Sequence, residues 1–369
     1  MQFSIEKEIL LNALNAVSRA TAIRGIQPVL SNVLIEAKND LIKFCATDLD
    51  LSIVVNVENK VDTEGSITLP AKKLMEIVSK LPSKPVILTL NPDNYIVKIV
   101  CENSKFDLRG ISSEEFPEIY YLESDESINI DLELLTKAIK QTTFAVATYD
   151  SSSILSGVFF KLKDNYMEMA ATDGNRLAKL TQTIENNDNK EYSIVIPSRT
   201  LNEFSKILTG INDKTVAISI KNGQISFKLE DRHLTSRLLE GQYPDYQKII
   251  PDSYTISALV NIDSLINSLE RTATMVNERT SIIKLHFSTN KLELSADTPD
   301  LGDSSDRLEI EYNGDELNIA FNYKYILDTL KGMDSDNVKF ELGGPLSAAL
   351  LKPEVDQDYL YLIMPVQIK

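Results

Sequence analysis

From residue 1 to 5, apolar Met1, Phe3 and Ile5 alternate with polar Gln2 and Ser4, the period of a strand with one buried face. Residues 6–21 then carry Ile9, Leu10, Ala13, Leu14 and Val17 at helical spacing, which predicts an amphipathic helix. Strands are predicted at about 32–37, 41–46 and 51–57, parted by polar turns such as Lys38-Asn39-Asp40. The same order then returns. Residues 66–69 read as a strand, and Pro70 sits where a first helical turn tolerates proline. A helix over 72–80 carries Leu74, Ile77, Val78 and Leu81 on one face, and Pro82 and Pro85 end it. Three more strands close the unit near 86–90, 95–101 and 105–111.

This double unit of strand, helix and three strands recurs twice more. The second copy has helices over 132–147 and 198–208, the latter after the strand residues Ile194-Val195-Ile196-Pro197. The third has helices over 262–276 and 323–331, the latter after 317–321. A short phrase marks the repeat: Ala46-Thr47-Asp48, Ala171-Thr172-Asp173 and Ala296-Asp297-Thr298, the last with two residues exchanged. Polar stretches near 124–127 and 251–254 divide the chain, predicting domains at 1–125, 126–252 and 253–369. Each is long enough for its own core. The expected class is α+β: three similar domains with helices segregated from antiparallel sheets.

Composition narrows the picture. Of 369 residues 43% are hydrophobic and 25% charged, as in a soluble globular protein. No apolar run could span a bilayer, and the first residues lack the basic, then apolar, form of a secretion signal. Cys45 and Cys101 lie in strand patterns and read as buried free thiols, so a reducing cytoplasm is expected. The net charge of −16 argues against nucleic acid if taken as a sum. Its distribution differs: the six helical segments hold twelve basic and nine acidic residues, so they are mildly basic on an acidic body. A shared helical face of that kind would attract phosphate weakly. A balance this small is equally compatible with ordinary solvated helices.

The sequence offers little for catalysis. Asp48, Asp173 and Asp297 occupy equivalent places in separate domains, whereas a catalytic pair needs one cleft; capping of local turns suits them better. His233 and His286 have no metal-ligand spacing around them, and there is no phosphate-cradling glycine loop. No cofactor and no metal is expected.

Four stretches carry a resemblance over the whole chain: Ala171-Thr-Asp-Gly-Asn-Arg-Leu-Ala178, Glu240-Gly-Gln-Tyr-Pro-Asp-Tyr246, Thr68-Leu-Pro-Ala-Lys-Lys73 and Tyr361-Leu-Ile-Met-Pro-Val366. In that order, and in register with the repeat, they resemble the bacterial sliding clamps, the beta subunits of DNA polymerase III. The resemblance implies a ring-shaped, head-to-tail homodimer around duplex DNA, with helices lining the hole and sheets on the rim. It implies a non-enzyme that tethers the replicative polymerase catalytic subunit, is placed on DNA by a separate ATP-driven clamp loader, and also recruits mismatch-repair and translesion polymerase proteins. A clamp paralogue serving repair or drug resistance is the alternative. Implied DNA contacts are Arg24, Lys73, Tyr149 in the loop 148–151, and Arg199. An implied pocket for partner peptides comprises Leu155, Thr172, Gly174, Asn175, Arg176, Leu177, Pro244, Lys248, Ile249, Leu346, Leu362, Met364, Pro365 and Val366. Asn175 departs from the histidine often found there in relatives. The implied dimer interface sets Lys105, Phe106 and Leu108 against Thr274 and Met275, with Asp297, Asp300, Asp303 and Asp306 facing Lys98, Lys105 and Arg109. Such rim pairs contribute about 0–1 kcal/mol each.

Overall fold

The computed structural model describes residues 1–22, 27–119, 127–150, 152–184, 191–251, 253–277, 279–299, 302–355 and 358–367. Six helices are described: α1 Lys7–Val17, α2 Ala71–Lys80, α3 Leu132–Thr142, α4 Ser198–Ile207, α5 Ile262–Thr272 and α6 Tyr323–Gly332. Each follows a strand and precedes three, as the repeat predicted. Three helices stop short of their predicted ends. The predicted stretches 6–21, 132–147 and 262–276 finish in 3-10 turns at Ser18–Ala20, Thr143–Ala145 and Ala273–Met275. Apolar spacing persists through the tighter turn, so the pattern could not mark the change. Pro70 closes the strand Gly65–Pro70 and precedes α2, one position earlier than expected. A short strand, Val61–Thr63, pairs with Gln2 and Phe3 and was not foreseen.

The strands form four antiparallel sheets. One eight-stranded sheet joins the first repeat to the second, because Leu51–Glu58 pairs with Arg232–Arg237. Another joins the second to the third, because Arg176–Thr183 pairs with Tyr359–Ile363. The five-stranded sheet ends at Ser104–Arg109 and the four-stranded sheet at Gly302–Glu309, strands that among the described residues have a neighbour on one side only. These are the counterparts of the strands paired at the two junctions. Compact units therefore divide within the middle repeat: Met1–Leu132 with Asn202–Leu238, and Glu133–Leu201 with Leu239–Lys369.

Cores lie between helices and sheets. In the first unit α1 buries Leu10, Leu14 and Val17, packing on α2 and on the strands Leu41–Thr47 and Leu51–Glu58. In the second, α5 packs on α6 and on the strand Gly302–Glu309, with Leu265 and Leu269 buried. Cys45 and Cys101 are buried and free. No described helix is long and apolar enough to cross a membrane.

Candidate functional site

Two of the three Ala-Thr-Asp phrases build the same turn. Thr47 donates its hydroxyl proton to Leu51 O and accepts from Leu49 N, while Asp48 Oδ1 accepts from Asp50 N and Leu51 N. Thr172 and Asp173 repeat all four bonds with Arg176 O, Gly174 N, Asn175 N and Arg176 N. These aspartates cap turns, as their spacing suggested. The third phrase differs: Thr298 donates to Met275 O. Gly174 has φ +92° with open space where a Cβ would stand, a left-handed conformation that suits glycine. Leu49 takes φ +81° at the same place in the first repeat while half exposed.

Around the second turn the sequence-predicted pocket residues separate into floor, rim and support. Leu177 and Leu362 face each other across the ladder, buried to 0% and 1% exposure. They share an apolar cluster with Val195, Tyr243 and Tyr246, against which Leu155 packs. Thr172 is buried as well. The strand continues past Ile363, where Met364 N donates to Asn175 O at 2.9 Å and Val366 N to Ala320 O at 2.8 Å. Met364, Ile249 and Leu346 keep 43%, 50% and 66% exposure, apolar surface placed in water. Gly174, Asn175, Pro244 and Lys248 are exposed, and Pro365 and Val366 half-buried. Lys248 pairs with Asp245 at 2.9 Å on the surface. Leu346 stands on the loop 343–348, which replaces the two-residue turn Asn222-Gly223 of the second repeat.

Arg176 behaves differently from the other predicted pocket residues. Its side chain is 7% exposed. Its guanidinium bonds Asp173 Oδ2 at 2.9 Å, Asp328 Oδ2 at 2.8 Å and Phe144 O at 2.6 Å, and lies 4.3 Å from the Tyr325 ring. Burial works against its charge, but Tyr361, Asp328 and Asp173 outweigh it and hold the guanidinium more firmly protonated. It pins the turn to α6 and to the 3-10 turn that follows α3. The counterpart in the first repeat is the apolar Leu51, so this pin belongs to one junction alone.

The remaining candidates lie elsewhere. Arg24 falls outside the described residues, as does Asp300. Lys73 stands in the first turn of α2, 58% exposed and paired with Glu76 at 2.7 Å. Tyr149 is 76% exposed in the loop after α3, and Arg199 is exposed on α4. Other helix cations are also paired: Lys206 with Glu203, Lys331 with Glu270, Arg271 with Asp306. The helical charge surplus is thus softened locally. On the edge strand Ser104–Arg109, Lys105 and Phe106 are exposed and Leu108 half-buried. On the other edge, Met275 comes within 3.3 Å of where a Gly302 Cβ would lie, and Thr274 is exposed. Burial pushes the Asp306 carboxyl upward, yet Arg271 and the Arg307 N–H hold it below the usual carboxylate range. Asp306 is therefore engaged within its own chain; Asp297 and Asp303 remain exposed.

Sequence reasoning missed the supports: Tyr243, whose hydroxyl accepts from Thr172 N at 3.1 Å, Tyr246, Glu168, Tyr325 and Asp328. The two tyrosines were visible in the Tyr-Pro-Asp-Tyr motif, which drew attention only to Pro244.

Three family models match in chain order: the DNA polymerase III beta subunit N-terminal domain over residues 1–120, its central domain over 129–245 and its C-terminal domain over 247–367. The beta sliding clamp of Synechococcus elongatus is 32% identical over 375 residues, covering 100% of both chains. The chain belongs to the beta sliding clamp family. The beta sliding clamp of Staphylococcus epidermidis is 31% identical, covering 100% of this chain and 99% of its own. Among solved structures, the DNA polymerase sliding clamp of Bacillus subtilis matches with a TM-score of 0.93 at 31% identity, and a Pseudomonas aeruginosa clamp bound to griselimycin with 0.94 at 28%, each covering 100% of both chains. The α+β architecture of three repeats is that of the sliding clamps.

Proposed function

We propose that this member of the beta sliding clamp family closes with a second copy into a head-to-tail ring around duplex DNA and tethers the replicative polymerase there. It is a DNA polymerase processivity clamp and not an enzyme. The observation that carries the ring is the pair of sheet edges. Ala178 pairs with Tyr361 and Ile53 with Leu234 at the two junctions inside the chain. The counterparts of these residues on the two open edges are Ser304 and Phe106. Repeating the junction between copies sets Ser304 opposite Phe106 of the partner subunit and Gly302 opposite Leu108 of the partner subunit. It also brings Thr274 and Met275 beside that seam. An exposed edge of this kind is a template for pairing, and pairing at both ends closes a ring.

A ring holds DNA by topology and needs little direct affinity. Weak helix-face charge, with Arg24, Lys73, Tyr149 and Arg199 as contacts, supports sliding without sequence preference. Partner peptides, from the polymerase, the clamp loader and repair proteins, dock at the rim made by Gly174, Asn175, Pro244, Lys248, Ile249, Leu346, Met364, Pro365 and Val366 above Leu155, Thr172, Leu177 and Leu362. Arg176 serves that pocket from beneath. Exposed aliphatic side chains and a flexible methionine suit an apolar anchor. The functional domains are 1–125, 126–252 and 253–369, and the setting is the cytoplasm.

The test loads the protein onto nicked circular duplex DNA with a clamp loader and ATP, then linearises the DNA. Release on linearisation is expected. Retention on linear DNA would mean that direct contacts hold it and would overturn the topological reading.

A further inference from the structure

The pocket wall at 239–250 is a surface segment with few attachments of its own. Of residues 240–249 only Tyr243 and Tyr246 are buried. Its 3-10 turn Tyr246–Ile249 has no side-chain cap from Asp245. Leu239 and Ile250 anchor its ends on the same apolar cluster, and Leu239 N bonds Val195 O; between them it is held by the two rings, 6.2 Å apart and packed on Phe159, and their two hydroxyls. The Tyr243 hydroxyl meets Thr172 N. The Tyr246 hydroxyl donates a short hydrogen bond to Glu168 Oε1.

Glu168 lies mid-strand in Tyr166–Thr172, its side chain 6% exposed. The matching residues of the other repeats, Lys43 and Glu293, keep 27% and 33% exposure. Glu168 is buried where its counterparts are not, and Tyr246 of the segment 243–249 reaches it. Its second oxygen takes Lys179 Nζ at 2.9 Å and the Thr181 hydroxyl at 3.4 Å. A buried carboxylate is tolerated only with such partners, so the wall and the charge depend on each other. Burial, reinforced by Glu168, pushes the Tyr246 phenol far above its ordinary pKa, so it remains the proton donor.

We propose that Glu168 is a positioning residue for ligand binding: through the Tyr246 hydroxyl it fixes the turn that presents Lys248 and Ile249 to the pocket. This rests on the pocket reading above. The probe is griselimycin, titrated into the full-length protein. Five forms are compared: the natural chain, Met364→Arg as a rim control, Tyr246→Phe, Glu168→Leu, and Glu168→Gln combined with Lys179→Met. Tyr246→Phe and Glu168→Leu are expected to raise Kd by about 2- to 30-fold, mostly through faster release. The double variant keeps an oxygen for the Tyr246 proton without a stranded ammonium, and is expected to bind within about 2-fold of the natural chain. Should Glu168→Leu not fold, Tyr246→Phe decides, since it removes one oxygen and leaves the ring. Natural affinity in Tyr246→Phe, with binding lost in Met364→Arg, would overturn the positioning role while sparing the pocket. Weakened binding that the double variant fails to restore would overturn it too. No binding by the natural chain, or none lost in Met364→Arg, would remove the pocket reading and this role with it.

Discussion

Replacing Arg176 with alanine removes the pin between the second turn and α6, and its cost can be worked from the contacts. Asp328 is 44% exposed in side chain, so water replaces its partner and that pair contributes at most about 1 kcal/mol. Asp173 is only 10% exposed and would keep the N–H groups of Asn175 and residue 176 while losing its counter-charge. Phe144 O would lose a charged donor at 2.6 Å. Breaking a buried ion pair from one side costs about 3–5 kcal/mol, because the partner stays buried. In a cooperative unit of this size, each kcal/mol lowers the unfolding midpoint by about 2–4 °C, so a fall on the order of 10 °C is expected. Differential scanning calorimetry measures it, with Asp328→Asn as a control expected to lose under about 1 kcal/mol. Arg176→Lys keeps a charge but not the planar fork, and should fall between the two. An Arg176→Ala protein within about 1 kcal/mol of the natural chain would refute the reasoning.

Four further outcomes follow from the same reading. His233, whose ring meets the Ser226 hydroxyl, is held by burial and Lys228 down to about 4, against 6.5 for a free histidine. Above about pH 6.5 both folded and unfolded forms are neutral; below it the unfolded chain gains a proton first. Stability should therefore fall between about pH 6.5 and 4, by roughly 3 kcal/mol in all, and urea midpoints across that range should flatten in His233→Gln. Phe106→Glu should dissociate the proposed dimer in sedimentation equilibrium, at a cost of at least about 3 kcal/mol over two seams; an unchanged dimer would show that the edge is not the interface. Leu49→Gly should raise stability by up to about 1 kcal/mol, since Leu49 is half exposed at positive φ; a clear loss in chemical denaturation would contradict that. Lys73→Ala should reduce the salt slope of DNA binding by no more than about 1, because Lys73 already has Glu76 beside it.

Much of the fold was legible because its signals are local. Period-two strands, helical stripes and the recurring Ala-Thr-Asp phrase placed all six helices and the repeat plan. The 3-10 ends were not legible, since Ala16, Val17 and Ala20 continue an apolar spacing that either helix type can bury. Nor was the fusion of sheets across repeats, which depends on pairings between residues such as Ile53 and Leu234, about 180 apart. At the pocket, family resemblance supplied the rim residues, whereas the supports had no signal of their own. Glu168 reads as an ordinary outward strand residue until Tyr246 of a distant segment is seen to reach it. Arg176 was legible as a pocket residue, but its three oxygen partners, which lie on other elements, were not.

The two joints inside the chain and the proposed seam between copies use one ladder geometry under different concentration regimes. A junction such as Arg176–Thr183 with Tyr359–Ile363 is tethered by the polypeptide, which keeps its two sides at an effective concentration on the order of millimolar. The proposed seam between Ser104–Arg109 and Gly302–Glu309 would have no such tether, and its occupancy would fall as the protein is diluted. A loading machine acting on the proposed ring would therefore have a preferred place to part it, chosen not by weaker contacts but by the missing peptide connection. Fusing two copies through a long flexible linker would convert one seam into the tethered kind and leave a single opening per ring.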